Sequence, residues 1–312
     1  MTIGDAKTTR ATVDKSARLL VADDWSDYRL LDSGGGQKLE QAGPYRFVRP
    51  DAQALWRPRL PEAAWAKADA IFAGAGDDEE GGRWRFERPL PERWTMAWQG
   101  MRFLGRPTPF RHLAFFPEHS VHWRFAQDAL SGAGGQPEVL NLFGYTGLAS
   151  LACAQAGAKV THVDASKKAI GFARDNQTEA GLADKPIRWI ADDAMAFVQR
   201  ELRRGRRYQG VILDPPKYGR GPGGEIWRLE EGLGPLLEAC AALLRDNPAD
   251  RQSAQGFLIA TVYAVRLSSV ALAQVAADAL PAHGALEFGD MTLPHANDDR
   301  LLPTAIYARW RR

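Results

Sequence analysis

Apolar positions along the chain change rhythm near Val121. From about Trp25 to Phe116 they alternate with polar ones in short runs, such as Arg83-Trp84-Arg85-Phe86-Glu87 and Thr95-Met96-Ala97-Trp98, set between Pro and Gly. A period of two bounded by turn formers predicts β-strands joined by turns. Residues 73–82, built from Ala, Gly, Asp and Glu, predict a loop that divides this region in two. No internal repeat is found.

After Val121 the pattern becomes strand, helix, strand, helix. Strands are predicted at 139–143, 159–164, 187–190, 210–213 and 256–261. Helices are predicted at 148–156, from the N-cap Ser166 to about 180, after the acidic pair Asp192 and Asp193, at 225–244 and at 268–280. Units of this length imply right-handed crossovers and a parallel sheet covered by helices on both faces. Two last strands, 285–291 and 305–310, have no helix between them and must pair antiparallel. The expected fold is therefore α/β: a Rossmann-like, mostly parallel sheet with a terminal antiparallel hairpin, preceded by a smaller β-rich region. Residues 1–115 form that region, with substrate recognition as its expected role, and residues 116–312 form the sheet domain.

The 312 residues are 45% hydrophobic and 25% charged, the composition of a folded globular protein. Two cysteines, Cys153 and Cys240, sit in apolar helical stretches without metal-ligand spacing, which suits a reducing compartment. The first 18 residues carry no apolar run after their charges, and no segment approaches the roughly 18 uninterrupted apolar residues of a membrane span. These features predict a soluble, cytoplasmic protein with no membrane contact. A net charge of +2 does not by itself announce a nucleic-acid partner. The densest cationic group, Arg200, Arg203, Arg204, Arg206 and Arg207, closes a predicted helix, where the helix dipole favours cations on a solvated surface.

Ligands of open α/β sheets lie at the carboxyl ends of the central strands, at the point where helices diverge. The turn there reads Asn141-Leu142-Phe143-Gly144-Tyr145-Thr146-Gly147. Gly144 and Gly147 let the backbone pass close to a ligand, and Thr146 is placed to cap the next helix, whose N–H groups favour negative charge. A tight strand-to-helix turn without a ligand has the same spacing. Leu142 stands where a dinucleotide fingerprint has its first glycine, which counts against a nicotinamide cofactor. Asp164 ends the second strand, about 20 residues on, where it either accepts from a ribose diol or caps the next helix. Asp193 with Ala194 ends the third, where the carboxylate either accepts from an exocyclic amine or caps a helix. Three such features on successive strands reinforce one another.

The fourth strand leads into Asp214-Pro215-Pro216-Lys217-Tyr218-Gly219. Two prolines restrain the backbone around Asp214 and hold it at the sheet edge. A rigid rim suits group transfer, because the acceptor lone pair must line up with the transferred group.

These motifs resemble the bacterial class I S-adenosylmethionine-dependent methyltransferases related to the ribosomal large-subunit RNA methyltransferases, which carry an N-x-F-x-Y-T-G loop and a D-P-P-K motif followed by an aromatic. The matching residues are the 141–147 loop, Val163-Asp164-Ala165-Ser166, Asp192-Asp193-Ala194 and Asp214 to Tyr218. A parallel sheet closed by an antiparallel hairpin is also similar to that fold, whereas a dehydrogenase normally continues with a helix. The resemblance implies S-adenosylmethionine as cofactor, RNA as the acceptor, and the roles of Asp164, Ala165, Ser166, Asp193, Ala194 and Asp214 in binding the cofactor. Phe115-Phe116-Pro117-Glu118-His119 is similar to the segment that enters the domain beside the cofactor, which adds Pro117 and Glu118. Relatives that methylate cytosine carbon-5 need a cysteine nucleophile after the fifth strand. Here that place reads Thr261-Val262-Tyr263-Ala264. The expectation is direct in-line transfer to a nitrogen or oxygen, with Asp214, Pro215, Pro216 and Lys217 at the acceptor.

The N-terminal region supplies Trp84, Trp94, Trp98 and, with Trp123, arginines 83, 85, 88, 93, 102, 106 and 111. Interleaved aromatics and arginines either stack bases and grip phosphates or are the two faces of ordinary strands. His119 and His122 lack a third ligand at metal spacing, so no metal is expected. Two other readings remain open: a methyltransferase for a small molecule or protein, and a cofactor-binding protein without turnover.

Overall fold

The computed structural model describes residues 11, 13, 16–74, 82–131, 135–244, 256–263 and 266–312. The N-terminal part contains β1 (Arg18–Val21), β2 (Tyr28–Gly34), β3 (Gln37–Ala42), β4 (Tyr45–Pro50), the single-turn helix α1 (Glu62–Trp65), β5 (Ala70–Gly74), β6 (Gly82–Phe86), β7 (Trp94–Trp98) and β8 (Met101–Gly105). Strands β2 to β6 form one sheet in sequence order, and β7 pairs with β8 as a ribbon. Of the predicted 73–82 loop, residues 75–81 lie outside the described residues. Its flanking strands pair antiparallel, with Gly74 opposite Gly82, so the segment joins neighbours in one sheet rather than dividing the region.

A 3-10 turn (Pro117–His119) opens the second part, followed by α2 (Ser120–Ser131), β9 (Glu138–Leu142), α3 (Leu148–Gln155), β10 (Lys159–Asp164), α4 (Lys167–Glu179), β11 (Ile187–Ala191), α5 (Ala194–Arg203) and β12 (Gly210–Leu213). Then come β13 (Tyr218–Arg220), β14 (Ile226–Arg228), α6 (Leu229–Leu243), β15 (Phe257–Tyr263), α7 (Ser269–Ala279), β16 (Ala285–Pro294) and β17 (Leu301–Arg311). The main sheet has the order β1-β16-β17-β15-β12-β9-β10-β11. Its centre is parallel, and β17 lies antiparallel between β15 and β16, as the absence of an intervening helix requires. This is the class I methyltransferase architecture. β1 reaches across from the N-terminal part and adds to β16 in parallel.

The predicted helix at 225–244 starts later, at Leu229. Ile226–Arg228 instead pairs antiparallel with Tyr218–Arg220, and a β-branched and an aromatic residue there favour the strand.

Strand side chains alternate between two cores, which is why the central strands read as continuous apolar runs. Leu140, Leu142, Val211, Leu213, Leu258 and Ala260 pack under α5, α6 and α7. Val139, Ile212, Phe257 and Ile259 pack on the opposite face with α2 and α3. A third cluster is shared by both parts of the chain: Tyr28, Phe47, Trp94 and Trp98 pack with Trp123, Leu148, Leu151 and Tyr307. Among the described residues no helix is long and apolar enough to cross a membrane.

Asn176 of α4 ties the parts together. Its Nδ2 donates to the Thr146 carbonyl at 2.9 Å, while its Oδ1 accepts from the Leu104 N–H at 2.9 Å. Replacing it by alanine, Asn176→Ala, strands two backbone groups and is expected to cost about 1–3 kcal/mol for each one left without a partner, read from urea unfolding. A second expectation concerns pH. Burial pulls the His162 imidazole down to about 3 and holds His122 well below its ordinary value. Unfolded rings take up protons near pH 6.5 while these stay neutral, so stability is full above that pH and falls as pH drops toward 3. The loss is roughly 1 kcal/mol per ring per pH unit. An unfolding midpoint that does not change between neutral pH and about pH 5 would refute the neutral buried rings.

Candidate active site

The parallel register sets Leu142 beside both Val163 and Leu213, and Leu213 beside Ala260. Phe143, Asp164 and Asp214 therefore come at one edge, level with Thr261 of β15, which runs on to Tyr263. From β9 the chain moves outward to β10 and β11, then returns to place β12 on the other side of β9. That reversal opens a crevice between the loops following β9 and β12, the usual position for a ligand in this architecture.

The loop after β9 is tightly wound. Phe143 and Tyr145 have φ of 54° and 49°, and Gly147 has φ 87°. Left-handed backbone costs non-glycine residues of order 1–2 kcal/mol each, so hydrogen bonds must hold it. The Gly144 N–H donates to the Val163 carbonyl at 3.1 Å and the Gly147 N–H to the Gly144 carbonyl at 3.0 Å. The Tyr145 N–H donates to Asp164 Oδ2 at 2.8 Å. Both glycines answer to protein neighbours: a Cβ on Gly144 would lie 2.3 Å from the His162 ring, and one on Gly147 would lie 2.9 Å from Ala173 Cβ.

Thr146 does not cap α3, as its sequence position suggested. Gly147 occupies the cap, and the Thr146 hydroxyl donates instead to the Ala114 carbonyl at 2.7 Å, anchoring the loop to the segment that enters the domain. Asn141 faces away from α5 to α7: its Nδ2 donates to Ser150 Oγ at 2.9 Å, and that hydroxyl lies 3.0 Å from His162 Nδ1. This buried trio locks α3 onto β9 and β10. Leu142 is buried, and the Phe143 ring lies 5.2 Å from that of Trp227.

Asp164 accepts from two backbone N–H groups, Tyr145 and Ser166, the latter at 2.8 Å. Burial nevertheless raises its pKa above the ordinary carboxylate value. Two N–H donors leave lone pairs for a further donor such as a hydroxyl. Ala165 follows, half-buried, and Ser166 Oγ caps α4 by accepting from the Ala169 N–H. Of the two roles open to Asp193, the cap is present: its Oδ1 accepts from the Ala196 N–H at 2.8 Å. Asp192 beside it pairs with Arg200, and Ala194 is buried at the start of α5.

Across the crevice Pro215 is buried while Pro216 and Lys217 are exposed. His119 Nε2 lies 3.7 Å from Asp214 Oδ2. This is too long for a hydrogen bond, but one donor atom between them can reach both. Burial raises the Asp214 pKa and His119 opposes the shift, with Glu118 adding to the rise. Glu118 is itself buried, and the preceding Pro117 carbonyl is held by Trp25 Nε1 at 2.9 Å. Sequence reasoning set His119 aside, although it adjoins the Pro117-Glu118 segment singled out there. Cys153 and Cys240 are buried within α3 and α6, and burial pushes the Cys153 thiol up to about 12. Among the described residues no group of three or more His, Cys, Asp or Glu side chains is arranged to hold a metal ion.

A chain of polar contacts reaches this edge from the N-terminal sheet. Buried Glu40 accepts from the Tyr28 hydroxyl at 2.8 Å and pairs with Arg49, whose Nη1 donates to the Arg111 carbonyl at 2.8 Å. Arg111 Nη2 in turn donates to the Tyr263 hydroxyl at 2.8 Å, at the end of β15. Nothing in the Trp- and Arg-rich composition of that region singled out this pair.

No protein-family model matches the chain. Many curated relatives match part of it, among them two ribosomal RNA methyltransferases. The ribosomal RNA large subunit methyltransferase K/L of Shewanella frigidimarina is 29% identical over 150 residues, 47% of this chain and 20% of that protein. The ribosomal RNA large subunit methyltransferase I of Shewanella denitrificans is 37% identical over 81 residues, 26% of this chain and 20% of that protein. The chain thus spans about a fifth of the length of these curated relatives. A Streptococcus mutans protein of 14% identity shares the fold, with a TM-score of 0.67 over 92% of this chain and 76% of its own. The crystal structure of the SAM-dependent methyltransferase from Agrobacterium tumefaciens is 45% identical and superposes with a TM-score of 0.90, covering 97% of this chain and 96% of that one. With that identity over nearly the whole length, and with the strand-end crevice built as described, the chain belongs to the S-adenosylmethionine-dependent methyltransferases.

Proposed function

We propose that this methyltransferase modifies RNA, with ribosomal RNA as the first candidate, at a nitrogen or oxygen atom and by direct in-line transfer. The observation that carries the reading of the chemistry is the Asp214 carboxylate facing His119 Nε2 at 3.7 Å on a proline-stiffened rim, with both described cysteines buried elsewhere. A carbon-5 acceptor needs a nucleophile to activate the ring, whereas a nitrogen or oxygen brings its own lone pair and needs alignment and loss of a proton. The bound cofactor supplies an electrophilic methyl group on a sulfonium. In this reading the 141–147 loop, Asp164 to Ser166, Asp193 and Ala194, with Pro117 and Glu118, hold the cofactor. Pro215 and Pro216 orient the acceptor, Lys217 borders it, and Asp214 with His119 takes up its proton. RNA as substrate is supported by the ribosomal RNA large subunit methyltransferases that match part of this chain. The β-rich residues before 116 serve as the recognition part, joined to the site through Arg111 and Tyr263, and such a substrate implies action in the cytoplasm.

Tritium transfer from labelled S-adenosylmethionine to ribosomal RNA from cells lacking the gene tests this reading, and no incorporation into any RNA fraction would remove the substrate. Asp214→Asn is expected to lower the rate about 100-fold while calorimetry shows the cofactor still bound. Because burial raises the Asp214 pKa, the proton-accepting carboxylate is lost as pH falls through a value above that of an ordinary aspartate. The wild-type rate should show this acid limb and the Asp214→Asn residual rate should lack it. An acid limb that persists in the variant would assign the titration to another group.

A further inference from the structure

The segment between the acceptor rim and α6 is a hairpin, and its two faces differ. Register places Tyr218 opposite Arg228, Gly219 opposite Trp227 and Arg220 opposite Ile226. Alternation therefore puts Tyr218, Arg220, Ile226 and Arg228 on one face, with Gly219 and Trp227 on the other. The inner face is clamped to the site. Trp227 Nε1 donates to the Pro216 carbonyl at 2.7 Å, the Leu229 N–H donates to the Lys217 carbonyl at 3.0 Å, and the Trp227 ring meets Phe143 of the cofactor loop. The outer face is open: Tyr218 is 52% and Ile226 60% exposed, and the Arg228 side chain is 59% exposed. Only seven large hydrophobic residues are exposed among the described residues, and two of them fall on these six strand positions.

We propose that this outer face is the docking surface for the single-stranded RNA flanking the acceptor nucleotide. The proposal rests on the RNA reading above and assigns it a surface. A nucleotide seated at Asp214 brings its neighbours against the element covalently continuous with that rim. An exposed tyrosine offers a stacking platform to any base, and guanidinium groups on either side of it meet phosphates. The charges are arranged for this. Lys217, Arg220 and Arg228 lie on or beside the outer face. Of the nearby acids, Glu225 folds back to accept from the Gly223 N–H at 2.8 Å, and Glu231 meets Arg228 only in an exposed pair at 3.6 Å. Such a pair contributes little and exchanges readily for a phosphate. Glu230 is exposed at the start of α6.

The test uses full-length protein and fluorescein-labelled short RNA of mixed sequence, single-stranded and duplex, with an acidic peptide as a third probe. Fluorescence anisotropy should show wild-type protein binding the single strand most tightly. Tyr218→Ala is expected to weaken that binding about tenfold, and the pair Arg220→Ala and Arg228→Ala to flatten the dependence of log affinity on log salt by about 0.7 for each phosphate no longer neutralised. All three side chains are exposed, so unfolding temperature and calorimetric affinity for S-adenosylmethionine should match wild type. Variants that bind the single strand as wild type does, with the same salt dependence, would overturn the docking surface and leave the RNA reading standing. Wild-type protein that binds neither RNA, or prefers the acidic peptide, would overturn both.

Discussion

The levelling of three parallel strand ends is the constraint from which the site follows. With Leu142, Val163 and Leu213 in register, the residues that follow them are released along one edge, and the crossover from β11 back to β12 parts the helices there. A slip of one residue would turn every side chain of a strand to the opposite face. Because the two faces are filled by separate apolar sets, that slip would mismatch both cores and turn Asn141 away from Ser150 into the core under α5 to α7. Packing on both faces thus sets the position of the edge where these strand ends lie.

Along that edge the structure keeps its loops taut with buried polar contacts. The Asn141, Ser150 and His162 trio fastens α3, and Asp164 and Asn176 hold the backbone of the wound loop from its two sides. Asn141, Ser150, His162 and Asn176 are withdrawn from water, so losing one of these groups leaves its partner unsatisfied. The left-handed conformations at Phe143 and Tyr145 are held by the protein's own hydrogen bonds, so the fold itself bears the ordering cost of this loop.

The N-terminal sheet shares one core with the methyltransferase sheet and contributes to the same edge. The buried Glu40 and Arg49 pair is weak evidence for stability, since desolvation offsets most of its attraction. Its consequence is positional: Arg49 holds the Arg111 backbone, and Arg111 reaches Tyr263 at the tip of β15. Both parts of the chain thereby meet at the end of β15.

Local pattern was enough for the strand and helix order from Val139 to the terminal hairpin apart from β13 and β14, for the cap at Ser166, and for the two motifs flanking the crevice. Periodicity, capping and proline restraint act within a few residues, so they are readable from sequence. What required the third dimension was contact between distant residues: β1 on β16, His119 beside Asp214, and Arg111 with Tyr263, 152 positions apart. The same holds for Gly144, whose missing Cβ makes room for His162 on the neighbouring strand. The β13 and β14 hairpin shows the boundary between the two. Its residues carry helix-compatible neighbours in sequence, and the anchoring of Trp227 to the Pro216 carbonyl and to the distant Phe143 ring adds to the local strand preference of Ile226 and Trp227.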